Sequence, residues 1–141
     1  MPIASFYELP PTLLTPHERR RGMCRVIAKA WQMMGEVDIL CPDAETAQAM
    51  DDLLWTFQAG AFVPHARAAG ERVRIHEQDT WPKQSIALIF CELNDLPAEL
   101  PICTRLVDFI PATEKARESA RARYRELKNA GFTMQVHPLE V

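Results

Sequence analysis

Along the chain, short apolar runs alternate with amphipathic stretches. The run IASFYEL, residues 3–9, is β-prone and is stopped by Pro10-Pro11. A helix then opens with clear punctuation. Thr15 suits the N-cap and Pro16 the first helical position, and Glu18, three residues after the cap, completes a capping box. Val26, Ile27, Ala30, Met33 and Met34 recur at helical spacing and predict the buried face, while Gly35 suits the stop. EVDILC (36–41) reads as a strand, and Pro42-Asp43 opens a second helix, DAETAQAMDDLLW, with Asp43 as its cap.

The middle is less regular: WTFQAGAFVPH (55–65) mixes large apolar side chains with Gly60 and Pro64. RVRIH (72–76) predicts a short strand, and QSIALIFCEL (84–93) is nearly all apolar, as a strand buried on both faces would be. TRLVDFI (104–110) predicts another strand. Pro111 ends it, Thr113 caps the next helix and Gly131 ends that helix, before a last strand at FTMQV (132–136). The alternation predicts one α/β domain over residues 1–141 with a mostly parallel sheet.

Composition narrows the class. The chain has 141 residues, 48% of them hydrophobic and 25% charged, enough to bury a core. The start MPIASFYELPP lacks the basic and apolar regions of a signal peptide. No apolar run approaches the roughly 20 residues of a membrane span, so a cytoplasmic protein with no membrane partner is expected. Cys24, Cys41, Cys91 and Cys103 form no CxxC pair, which predicts reduced, buried thiols and no metal site. His17, His65, His76 and His137 form no HxxxH or HExxH pair, and no G-x-S-x-G elbow occurs. The five glycines lie too far apart for a dinucleotide fingerprint or a phosphate loop, and Pro42-Asp43 stands where such a loop needs glycine. No cofactor and no catalytic residues are expected.

Charge is unevenly spread. The net charge is −3, yet residues 114–128 hold six basic and three acidic side chains, a local +3 that leaves −6 for the rest. On a helix turning about 100° per residue, Arg117, Arg121, Tyr124, Arg125 and Lys128 share one arc roughly 100° wide. Ala116, Ala120, Leu127 and Ala130 cluster on the core-facing side; Arg123 falls among them, and its stem reads as snorkelling. The arc is open to two readings, a solvated face or an anion site. Like charges at i, i+4 repel by a few tenths of a kcal/mol; Glu118 and Glu126 lie outside the arc and only Glu114 is near it, so an anion would offset the repulsion. With Phe109 and Ile110 just before the helix, an acidic peptide with a hydrophobic end suits the surface. Nucleic-acid phosphate is the rival ligand, against the chain's negative charge.

These blocks meet a known pattern. FYEL, AKAW, DDLLWTF…AFVPH, VDFIP and ARARYRELKNAGF, in this order and spacing, resemble the chi subunit family of bacterial DNA polymerase III over most of the chain. The resemblance implies a Rossmann-like three-layer sandwich without nucleotide chemistry, serving as a non-catalytic accessory subunit of the clamp loader. It implies two partners: the psi subunit, and the acidic C-terminal tail of single-stranded-DNA-binding protein. Nucleic acid is then reached indirectly; direct single-stranded binding through the basic helix is the alternative. The family's tail-binding residues correspond to Arg121, Tyr124, Arg125, Arg117 and Ile110, with Lys128 completing the rim and Gly131 and Phe132 matching the AGF ending. Arg125 replaces the usual lysine. Trp55, Phe57, Phe62, Pro64 and His65 match the LW…FVPH block, which is either a psi surface or core, with His65 a hydrogen-bonded structural residue.

Overall fold

Side-chain caps and glycines set the helix ends in the computed structural model, which describes residues 2–58, 63–67 and 71–139. Helix α1 (Pro16–Met34) begins at Thr15, whose hydroxyl oxygen accepts the Glu18 N–H at 3.1 Å. The same hydroxyl donates to the Glu18 carboxylate at 3.1 Å, so the box closes side chain to side chain. Gly35 ends α1 at φ 84°, in the left-handed region. Helix α2 (Ala44–Thr56) starts at Asp43, whose carboxylate accepts the Thr46 N–H at 2.7 Å. Helix α3 (Glu114–Asn129) starts after Thr113, whose side chain makes no capping bond. It closes in a Schellman motif: Phe132 donates to the Leu127 carbonyl and Gly131, at φ 100°, to that of Lys128.

The strands are β1 (Ile3–Glu8), β2 (Val37–Leu40), β3 (His65–Ala66), β4 (Val73–His76), β5 (Gln84–Phe90), β6 (Ile102–Ile110) and β7 (Thr133–Pro138). They form one sheet in the order β3-β4-β2-β5-β6-β1-β7. Every pairing is parallel, which sharpens the expected mostly parallel sheet. Strand β3 carried no signal in the sequence, because two residues are too few to show a period.

Register sorts the core into two layers. Val37, Ile39, Ile75, Ile89, Val107 and Phe109 share a cluster with Val26 and Ile27 of α1 and Met50 and Leu54 of α2. Ala4, Phe6, Leu40, Leu88, Phe90 and Leu106 share the other with Leu127 of α3. The result is an α/β sandwich of Rossmann-like form, with α1 lying over β2 and β5, α2 over β3 and β4, and α3 over β6 and β7 on the opposite face.

Four expectations need correction. Met33 is 66% exposed and not part of the buried face; it lines an open groove between α1 and the strands β1 and β6. Ala130 is exposed because it is the C-cap of α3, past the last packed turn. Strand β5 is buried only over Ala87–Phe90, and Ile86 before it is partly exposed. Arg123, read as snorkelling, is buried.

The four thiols are unpaired; Cys24, Cys41 and Cys91 are buried and Cys103 is half-buried. Burial pushes the Cys24 and Cys41 thiols up to about 12 and that of Cys103 to about 11, away from thiolate chemistry. No described helix is long and apolar enough to cross a membrane.

Candidate functional site

The basic arc of α3 lies beside a partly buried apolar cluster. Arg121, Arg125 and Lys128 are exposed, and Arg117 is half-buried. Tyr124 sets its ring edge-on to Phe6 of β1, with centroids 5.3 Å apart. Ile110 at the end of β6, Tyr124, and Phe132 and Met134 around the start of β7 are half-buried and pack on the same core layer. Val136, opposite Phe6 in the β1–β7 ladder, extends that apolar surface to the edge strand and is partly exposed. Gly131 contributes through its backbone, since its positive φ lets α3 stop and turn into β7.

The cations divide into two kinds. Arg20 is bidentate to Glu92 at 2.6 and 2.9 Å, Arg67 reaches Glu77 at 3.2 Å, and Arg74 is bidentate to Asp38 at 2.8 and 3.1 Å. By contrast, Arg117, Arg121, Arg125 and Lys128 have no ion-pair or hydrogen-bond partner among the described residues.

Arg123 belongs with the paired set. Its Nε and Nη2 donate to the Asp108 carboxylate of β6 at 2.7 and 3.3 Å, and its Nη1 donates to the Leu93 carbonyl at 2.6 Å and to Ser119 Oγ at 3.0 Å. Burial pushes the Asp108 carboxyl up, against the pull of the guanidinium and of the Phe109 N–H. The residue that broke the amphipathic pattern is thus the one that ties α3 to the sheet. A basic residue on an apolar arc was the available signal; its partner, Asp108, stands on the strand just before the helix.

A second polar cluster also escaped the sequence reading. Buried Asp38 on β2 accepts from Arg74, from Ser85 Oγ at 2.6 Å, and faces His76 Nε2 at 2.7 Å. Although burial acts to raise it, these hydrogen bonds hold the Asp38 carboxyl well below the usual carboxylate range. A cavity of about 300 Å³ opens at the carboxyl ends of the strands, where α1 and α3 leave toward opposite faces. Doubly wound folds place nucleotides in such a crevice; here Glu92 and Asp108 line it, each tied to an arginine.

The block read as psi surface or core divides between the two. Trp55, near the end of α2, is 57% exposed and lies 4.5 Å, ring to ring, from His65. Pro64 is half-buried. Phe57 is 2% exposed and packs in the α1–α2 core, so it presents no surface to a partner. His65 is buried, with Nδ1 2.6 Å from the Val63 carbonyl and Nε2 3.0 Å from that of Asp51. Phe62 lies outside the described residues.

Fold and surface together define a parallel α/β chain in which several arginines are tied into structural ion pairs while the basic arc of α3 has no such partners among the described residues. The family described as DNA polymerase III chi subunit, HolC, matches residues 1–135. The chain is 31% identical to DNA polymerase III subunit chi of Escherichia coli, over 79% of this chain and 80% of that one. It is 28% identical to the subunit of the same name from Pseudomonas aeruginosa, over 95% and 94%, and 26% identical to that of Haemophilus influenzae, over 79% and 81%. The chain belongs to the DNA polymerase III chi subunit family.

Proposed function

We propose that this chi-family chain is a non-catalytic, cytoplasmic bridging subunit. It couples the replicase to coated single-stranded DNA by holding the acidic C-terminal tail of single-stranded-DNA-binding protein on α3. The observation that carries this reading is the set of four cations with no partner among the described residues around a half-buried aromatic. Arg121 receives the terminal carboxylate or a neighbouring acid through its planar fork. Arg117, Arg125 and Lys128 form the electrostatic rim, and Ile110, Tyr124 and Phe132 seat the apolar end of the tail. An interface of this kind is small and salt-sensitive.

A separate surface serves the psi subunit. It is centred on Trp55 and Pro64 at the end of the sheet where α2 and β3 meet. The exposed indole carries this second assignment; Phe57 and His65 support it from below.

Fluorescence anisotropy tests the first reading. The probe is a labelled acidic peptide ending in Asp-Ile-Pro-Phe with a free carboxylate, and an oligonucleotide of equal charge runs alongside. Binding of the peptide that Arg121→Glu abolishes, with the oligonucleotide inert, is the expected outcome. Oligonucleotide binding without peptide binding makes α3 a phosphate track and contradicts the bridging role.

A further inference from the structure

We infer a second docking groove, on the opposite face of the sheet from α3, for an acidic protein segment that carries apolar side chains. Helix α1 has five basic residues against one acidic, so residues 16–34 carry +4 and are more basic than the α3 segment. Three of these are committed to the fold. Arg20 pairs with Glu92, while Arg19 and Arg21 donate to the carbonyls of Leu13 and Phe57. Arg25 and Lys29, one turn apart, have no such partner among the described residues.

Lys29 stands on the side of α1 that faces strands β1 and β6. There a groove runs between α1 and strands β1 and β6. Tyr7, Val26, Ala30, Met33, Met34 and Val107 form its apolar lining. Lys29 from the helix and Arg105 from β6 supply one cation from each wall, and Arg105 also lacks an ion-pair partner among the described residues.

Charge and shape choose the occupant. Two facing cations with no acid between them call for carboxylates, and an apolar floor ending in two adjacent methionines calls for aliphatic side chains that a nucleic-acid backbone does not offer. The groove's open volume is about 50 Å³, far below the roughly 300–1,000 Å³ of small-molecule pockets, so a segment laid along it fits better than an engulfed ligand. The chain itself shows the mode of packing one turn up the helix. Leu139, in the stretch after β7, sits so close to Gly22 that a Cβ there would come within 2.8 Å of its Cδ2. An aliphatic side chain from an extended segment already fills that end of the same helix face.

The test is amide chemical-shift mapping on the labelled full chain with three probes. These are an acidic peptide carrying leucines one helical turn apart, an oligonucleotide of equal charge, and dilution of the protein alone. The peptide is expected to move the amides of Lys29, Ala30, Met33, Arg105 and Val107. Lys29→Glu with Arg105→Glu should weaken it roughly tenfold, as should Met33→Asp, whose exposed position leaves folding intact, whereas Arg121→Glu leaves this binding unchanged. Shifts confined to α3, or none, overturn the inference. So do shifts of these amides with the oligonucleotide and not the peptide, or on dilution alone, which would make the groove a phosphate track or a self-association face.

Discussion

Arg123 and Asp108 form a buried, bidentate ion pair across the interface between α3 and β6, and the same guanidinium reaches the Leu93 carbonyl beyond β5. One side chain thereby fixes the helix both to β6 and to the segment that follows β5. Arg121 and Arg125 stand two residues to either side of it, about 200° around the helix, so locking Arg123 inward turns both outward.

Removing one partner strands the other. Arg123→Ala leaves the Asp108 carboxylate buried without its guanidinium and should cost about 3–5 kcal/mol in denaturant unfolding. Replacing both, as Arg123→Met with Asp108→Leu, removes the orphaned charge and should be less destabilising than the single change. A double variant worse than Arg123→Ala would mean that the helix is held by something other than this pair.

Stability should fall on acidification in a way that depends on Asp38. Its carboxyl is depressed in the folded state by hydrogen bonds from His76, Arg74 and Ser85, against the opposing pull of burial. A depressed folded value means stability that is fully present above the unfolded carboxylate range and is lost as pH falls through that range toward the folded value. Melting temperature followed from neutral to acid pH should drop steeply in the wild type. Asp38→Asn should start lower and show a shallower slope; parallel curves would remove Asp38 from the account.

Much of this architecture was legible because its signals are local. Thr15 and Asp43 mark helix starts through side chains that accept first-turn N–H groups, Pro16 through its fixed φ and Gly131 through its positive φ, and the arc of Arg117, Arg121, Arg125 and Lys128 needs only the helical period. What escaped depends on contacts between segments. Arg123 looked like a surface residue with a buried stem because nothing in a helical projection places Asp108 opposite it. Met33 looked buried because helical spacing does not tell how far the sheet's cover extends. The Asp38 cluster draws on β2, β4 and β5, three segments that only the strand order brings together.

Trp55 and Phe57 are close in sequence and opposite in role. Phe57→Ala empties a core site and should cost about 3–5 kcal/mol. Trp55→Ala removes a largely exposed ring and should change the unfolding free energy by less than about 1 kcal/mol while reducing capture of the psi subunit in a pull-down. Equal destabilisation by the two would place Trp55 in the core.

Gly131 tests the turn after α3. Its φ of 100° is a conformation that costs a side-chain-bearing residue about 1–2 kcal/mol, so Gly131→Ala should lower stability by about that amount. Because the strain sits where the helix passes into β7, peptide affinity should fall together with the unfolding free energy in the same titrations. An unchanged melting temperature would contradict the assigned geometry.

The central claim is that this chain reaches single-stranded DNA through a protein tail. Cosedimentation with an oligonucleotide coated by single-stranded-DNA-binding protein tests it directly, comparing the full-length coat protein with one lacking its acidic tail. The account predicts that the chain travels with the full-length complex at low salt, dissociates as salt rises, and stays behind with the truncated one. Equal cosedimentation with both, or with the bare oligonucleotide, would contradict it.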